Sequence, residues 1–383
     1  MRLLLPILMV ACTSSPPKLN QAFTQVEIFT EREPDAAADY FVQVISKAND
    51  SLHIALPAGE NEDVTSAIID AWDRGLEVEV VTDIDRADDA GIAAMIGAEI
   101  PVTLADGEIT YFDFNVNDDV SWNSDQTLMT HSFVIADRRR LVNSSGVGFL
   151  RSGPTVVVEA VSEEIVEDFL SEHNQVFGGA DATSTTAYSG LAKSVADFRW
   201  LYKTQTDVQL EIWFGPQERL TKRVIDSVYG AKASIHVLTD DFSNEGLARA
   251  LDHKARDGFN VQVVVGPNFS TSYPKLSAVL QEETPNLPKF QVTGVESVPT
   301  VVLIDMDKAR DNHQYASRGM VLSHDLYSAA RLHNERGLST EVVNDQLIDG
   351  NLWVFNDHNE PSAELKALFA VWEDARADAV EMP

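Results

Sequence analysis

The sequence predicts two similar α/β lobes, each a mixed, largely parallel sheet flanked by helices, and three observations carry that expectation. First, the chain repeats itself. SLHIALPAGENEDVTSAIIDAWDRGLEVEVVTD, starting at Ser51, matches SIHVLTDDFSNEGLARALDHKARDGFNVQVVVG, starting at Ser234; His53 falls on His236, Asn61 on Asn244 and Gly75 on Gly258, all at one offset of 183 positions. Second, each copy alternates apolar strands with amphipathic helices over short connections, and strand, helix, strand is the unit of a parallel sheet. Third, GGADATSTTAYSG (178–190), between the copies, is small, polar and aperiodic, as a linker is. A chain of 383 residues, 44% of them hydrophobic, is long enough to bury two cores.

The N-terminus, MRLLLPILMVAC, has one Arg, an apolar run from Leu3 to Val10, and Ala11 directly before the only cysteine, Cys12. The run is too short to span a bilayer, which takes about 20 apolar residues, and reads as a processing signal. Leu8 to Cys12 resembles the lipobox of bacterial lipoproteins, with Met9 where Leu is commonest. The resemblance implies cleavage before Cys12 and lipid on its thiol. A lone cysteine has no disulfide partner, which favours this over a plain secretory signal. Residues 1–11 are then a signal peptide and 12–24 a lipid-anchored tether. The expected partner is a membrane, held through the N-terminal lipid, and the expected location is the bacterial cell envelope.

The first lobe, 25–178, opens on the strand VEIF (26–29), then an amphipathic helix over 36–48 and a strand over 52–56. A polar loop with Asn61 leads to a helix carrying Val64, Ala67, Ile68, Ala71 and Trp72 at helical spacing. Gly75 ends it, because glycine accepts the left-handed conformation of a helix C-cap, and the strand LEVEVVTD follows. The insertion NVNDDVSWNSD (115–125) is oxygen-rich but lacks the turn Gly and the twelfth-position Glu of a calcium loop. Next come MTHSFVIAD (129–137), LVNSSGVGF (141–149), and a strand and amphipathic helix over 156–178. After a linker at 179–207, the second lobe, 208–383, repeats the order: LEIW (210–213), a helix over 217–231, a strand over 235–238, VPTVVLID (298–305), SRGMVLSHDLYSAAR (317–331), and a strand and helix over 351–374.

This order, with a late apolar strand ending in Asp in each half, resembles the phospholipase D superfamily. Its signature is HxKxxxxD, one copy per lobe, the two meeting at a pseudo-twofold axis. The resemblance covers nearly the whole mature chain and implies two phospholipase D-like lobes related by that axis. In the family one His attacks phosphorus and the other protonates the leaving oxygen. The two Lys hold the non-bridging oxygens, and the Asp supports a His or the turn. Aligned without a gap, MTHSFVIAD puts Thr130 at the His position, Ser132 at the Lys position and Asp137 at the Asp position. VPTVVLID puts Val298, Thr300 and Asp305 there. Both motifs are degenerate. His131 falls one place off, on the face of Met129, Phe133 and Ile135, and is expected to point away from the cleft. A gapped alignment makes His131 the motif His and deletes the Lys position, at the cost of turning every later side chain to the other face. Further on, Ser145 takes the serine position of the family's GSxN strand, with Val147 at the asparagine. Ser323 and Asp325 take the corresponding places in the second lobe, beside His324, which carries no assigned role.

The formal net charge is −31, and no basic stripe offers a phosphate track, so no nucleic-acid partner is expected. His53 and His236, matched among apolar neighbours, are expected as core residues. ENED (60–63) and TDDFSN (239–244) follow the first strand of each copy on the crevice edge and are expected as solvated acidic loops. No Cys or His cluster has zinc spacing, and no Gly-rich phosphate loop or GxSxG elbow occurs, so neither metal nor cofactor is expected. The reading is a catalytically inactive phospholipase D-like lipoprotein, binding or structural. Its alternatives are an active phosphodiesterase or phosphatidyltransferase rebuilt on His131, Asp137, Ser145 or His324, and a two-lobed solute-binding lipoprotein. Nothing in the sequence selects a ligand for the cleft or an oligomeric state.

Overall fold

A computed structural model describes residues 25–31, 36–59, 61–83, 86–105, 109–113, 118–122, 128–145, 155–177, 202–215, 220–242, 244–267, 289–295, 297–306, 316–326, 348–358 and 361–381. Cys12, the signal peptide, the tether, Val147 and most of the linker lie outside them. The first lobe runs β1 (Gln25–Glu31), α1 (Ala36–Lys47), β2 (Ser51–Leu56), α2 (Glu62–Asp73), β3 (Glu77–Asp83), α3 (Ala90–Gly97), β4 (Val102–Ala105), β5 (Ile109–Asp113), β6 (Asp118–Trp122), β7 (Leu128–Met129), β8 (Phe133–Ala136), β9 (Arg140–Ser144), β10 (Thr155–Val161) and α4 (Glu163–Phe177). The second runs β11 (Tyr202–Lys203), β12 (Gln209–Phe214), α5 (Leu220–Gly230), β13 (Ser234–Thr239), α6 (Glu245–Arg256), β14 (Asn260–Val265), β15 (Lys289–Val292), β16 (Thr300–Ile304), β17 (Ser317–Leu322), β18 (Ile348–Asp349), β19 (Asn351–Asp357), α7 (Ala363–Ala377) and β20 (Val380–Glu381). None of the described helices is long and apolar enough to cross a membrane.

The repeat has a local physical basis. Asn61 and Asn244 cap the N-termini of α2 and α6, their side chains accepting from Val64 N (3.0 Å) and Leu247 N (2.9 Å). Gly75 and Gly258 close these helices at φ 87° and 85°, open to glycine at little cost. Each lobe thus builds the same parallel βαβ unit, β2 on β3 and β13 on β14.

Both sheets are mixed, in the orders β1-β10-β9-β8-β2-β3-β4 and β11-β12-β19-β17-β16-β13-β14-β15-β20. Parallel pairing is confined to β2-β3-β4 and β13-β14-β15, where a helix or longer crossover intervenes. The remaining pairs are antiparallel, so the sheets are less parallel than the βαβ signature alone suggests. The physical reason is connection length: β8 and β9 join through a tight turn, which only antiparallel strands allow. The second sheet also begins ahead of the expected boundary at 208, because a turn with Thr204 N donating to Val208 O (3.0 Å) folds β11 back on β12.

Each sheet has an outer face under its own helices. In the first lobe α1, α2 and α3 cover Leu52, Ile54 and Val134; in the second α5 and α6 cover Ile235, Val237 and Val302. The inner faces, with α4 and α7, merge into one core across the lobes, in which Phe133, Ile135 and Phe169 pack with Val301, Leu303, Trp353 and Leu365. A two-stranded parallel ribbon, Leu128 on Ile348 and Met129 on Asp349, also joins the lobes.

Candidate functional site at the seam between the lobes

Strand pairing sets the register of MTHSFVIAD against VPTVVLID. Ala55 pairs with Phe133 and its repeat mate Leu238 pairs with Val301, so Phe133 corresponds to Val301. Counting back, Thr130 corresponds to Val298, Ser132 to Thr300 and His131 to Pro299. The two motifs therefore superpose without a gap. The aspartates behave alike too. Asp137 and Asp305 sit at φ 53° and 57°. The Asp137 carboxylate accepts from the N–H of Asn49, Asp50 and Ser51, and Asp305 accepts from those of Lys232, Ala233 and Ser234, the matching positions. Each closes the turn that leads into β2 or β13. Burial would raise the Asp137 carboxyl, but the three N–H donors outweigh it and hold it below its ordinary 3.8.

The motif strands end at a buried polar net between the lobes. Thr130 Oγ1 lies 3.1 Å from Ser323 Oγ of the second lobe. Ser323 Oγ also accepts from Asn351 N (2.9 Å), as Ser145 Oγ accepts from Val156 N (3.2 Å) in the first lobe. Asn351 Nδ2 donates across the seam to His131 Nδ1 (3.1 Å) and to Asn143 Oδ1 (3.0 Å), one amide proton to each. His131 Nε2 stands 3.2 Å from Glu172 Oε1 on α4. With Nδ1 accepting from an amide, Nε2 carries the ring proton and donates it to the carboxylate. Gly350 is pressed into this net: a Cβ there would meet Thr130 Oγ1 at 2.4 Å and Ser323 Oγ at 2.5 Å.

The expectation that His131 turns away from the other lobe is therefore corrected. The face it shares with Phe133 and Ile135 is the inter-lobe face, and its ring lies 6.1 Å from that of Phe214 in the second lobe. Ser132 and Thr300 remain in their own lobes. Ser132 Oγ lies 2.6 Å from Ser144 Oγ, and Thr300 Oγ1 donates to Asp325 Oδ1 (2.9 Å), which also accepts from Asp240 N (3.1 Å). Val298 is part of the shared core. His324 is fully buried and neither ring nitrogen makes a hydrogen bond. Burial, then the nearby His131, pushes it down to about 3, so it is neutral at any physiological pH.

One further expectation changes. The loop after β13 is not solvated throughout: Thr239, Asp240 and Phe242 are buried, because Thr239 and Asp240 engage Asp325. Among the described residues one trio of potential metal ligands, His53, Glu79 and His173, also sits together, next along α4 from Glu172. Sequence spacing misses it because the three lie on β2, β3 and α4.

Asn143, Glu172, Asn351 and Gly350 were not anticipated from the sequence. A signal existed in the repeat. By strand register Asn143 corresponds to Val321 and Asn351 to Val156, and with the buried faces of α4 and α7 aligned Glu172 corresponds to Val371. Buried polar residues stand where the other lobe keeps valine.

Comparison with known proteins agrees with this architecture. Residues 41–176 match the family model described as cardiolipin synthase, phospholipase D-like domain. Among solved structures, it is similar to phosphatidylserine synthase of Haemophilus influenzae, at 11% identity and a TM-score of 0.62, covering 94% of this chain and 87% of that one. It is also similar to polyphosphate kinase of Porphyromonas gingivalis, at 10% identity and a TM-score of 0.56, covering 91% of this chain and half of that one. At such identities the likeness speaks to the fold alone, two α/β lobes with mixed sheets. No curated protein matches the chain.

Proposed function

We propose that the protein is a phospholipase D-like lipoprotein of the bacterial envelope that acts by binding or as a structural component and not by phosphodiester chemistry. The observation carrying this reading is the chemistry now standing at the superposed motif positions. Thr130 and Val298 offer no imidazole, and Ser132 and Thr300 offer no positive charge for phosphate oxygens. His131, beside the first motif, has both ring nitrogens engaged, by Asn351 and Glu172, which leaves neither poised to attack phosphorus. A net charge of −31 also repels phosphodiesters. Lipid on Cys12 would place the lobes at a membrane surface, the one partner the sequence points to.

A second reading rests on one geometric fact: an imidazole–carboxylate pair, His131 with Glu172, lies at the seam with His324 close enough to be influenced by it. Such a pair is the core of a rebuilt hydrolase or transferase site. The two readings separate in one assay of purified protein on bis(p-nitrophenyl) phosphate and on phosphatidylglycerol vesicles. The first expects turnover no higher than in His131→Ala; turnover that vanishes in His131→Ala, Ser132→Ala or Asp137→Ala overturns it in favour of the second. Anchoring is tested by mass spectrometry of the mature N-terminus and by membrane fractionation. Acyl groups and membrane association, both lost in Cys12→Ser, are expected; an unmodified wild-type protein in the soluble fraction would sink that part.

A further inference from the structure

Three buried or half-buried side chains of the first lobe play no part in the net at the seam. Parallel pairing of β2 and β3 sets His53 beside Glu79, and α4 lays His173 over them. His53 Nδ1 lies 3.0 Å and His173 Nδ1 3.9 Å from Glu79 Oε2, and the potential ligand atoms all fall within 4.8 Å of one another. His53 is 2% and His173 1% exposed. His53 Nε2 completes no hydrogen bond, while the His173 ring faces the backbone of Ile54 and Glu79. Two imidazoles, both almost wholly buried, and one carboxylate brought this close form a donor set of the kind that holds a metal ion.

We propose that His53, Glu79 and His173 form a binding site for a single divalent transition-metal ion, zinc foremost, held by two imidazoles and one carboxylate. The donor set suits it: neutral imidazole and carboxylate are common zinc ligands, and three protein ligands leave one position for water. A tetrahedral ion with bonds of roughly 2.0–2.1 Å spaces its ligands about 3.3 Å apart, a spacing that the separations of 3.0 and 3.9 Å bracket. The Glu79 side chain is 20% exposed, which supplies an entry path and room for the water. Ligation through Nδ1 moves the proton of His53 to Nε2, so the ring stays neutral. Burial raises the Glu79 carboxyl, but the hydrogen bond with His53 outweighs it and holds the group below its ordinary value.

The second lobe is a built-in control. It retains the strand histidine, His236, but the neighbouring strand holds Gln262 where the first has Glu79. The overlying helix there presents Trp372, 4.5 Å from the His236 ring, where α4 presents His173, 5.4 Å from the His53 ring. Glutamine is neutral and tryptophan offers no lone pair, so that lobe lacks the donor set.

The test uses the full chain, stripped of metal by chelator and dialysed into excess Mg2+ to occupy weak acidic sites. Zinc is then titrated calorimetrically and counted by elemental analysis. The expected result is one tight zinc per chain, weakened at least about 100-fold in Glu79→Gln and in His173→Ala and unchanged in His236→Ala. Cobalt in its place should show the visible absorption of a four-coordinate ion, absent in Glu79→Gln. Absence of tight zinc in the wild type, or equal binding by Glu79→Gln, overturns the proposal. Should His173→Ala fail to fold, Glu79→Gln still decides, since the matching position of the second lobe already carries Gln262.

Discussion

Gly350 and Asn351 hold the seam between the lobes, one by having no side chain and the other by the two protons of its amide. Gly350→Ala forces a Cβ to within 2.4 Å of Thr130 Oγ1 and 2.5 Å of Ser323 Oγ, two hydroxyls already held by hydrogen bonds at the seam. It should cost about 1–3 kcal/mol, read as a lower urea midpoint. Removing the hydroxyl as well, in Thr130→Ala, should return part of that loss, so the two changes will not add. Asn351→Leu keeps the volume but strips the donor from His131 Nδ1 and Asn143 Oδ1, both buried. A loss of about 1–3 kcal/mol is expected, and an unchanged midpoint would show that the bridge contributes nothing. Little of this was legible beforehand. An asparagine in an apolar strand stands out only when set against the valine at its repeat position, and that comparison requires the register.

The turns and caps repeat at the level of elements, where local sequence carries most of the information. Asn61→Ala and Asn244→Ala should each cost about 1 kcal/mol, in parallel, since each removes a single helix N-cap. Asp137→Ala removes acceptors for three N–H groups and should cost about 1–3 kcal/mol at neutral pH. Its pH dependence has a definite sign. The folded carboxyl lies below its ordinary 3.8, so its stabilisation is fully present above that value and is lost as pH falls through the lower folded one. The gap between wild type and Asp137→Ala, measured by urea unfolding across acidic pH, should therefore close below about pH 4. A gap that persisted would mean the carboxylate is not what the turn uses. The spacing of apolar strand and terminal Asp, repeated in both halves, made this element readable, although its role as a turn clamp came from the positive φ at both positions.

At the scale of the whole molecule the shared inner core binds the lobes into one cooperative unit. Heat or urea should unfold the protein in one transition, coincident by tryptophan fluorescence and far-ultraviolet dichroism, and residues 25–178 expressed alone should be insoluble, because Phe133, Ile135 and Phe169 lose their cover. His324 adds an acid limit. Its folded value of about 3 against an ordinary 6.5 means the unfolded chain binds the proton first, so stability declines as pH falls from about 6.5 towards 3. His324→Gln should flatten that part of the curve. The repeat, the elements, the helix caps and the unusual residues at the motif positions were determined by the sequence alone, because periodicity, capping and turn closure act over a few residues or recur at a fixed offset. The seam was decided only by the tertiary structure. Its hydrogen bonds join Thr130 to Ser323, Asn143 to Asn351 and His131 to Asn351 across 193, 208 and 220 positions of chain. No local pattern encodes contacts of that range; they follow from how two sheets and two helices bury one common face.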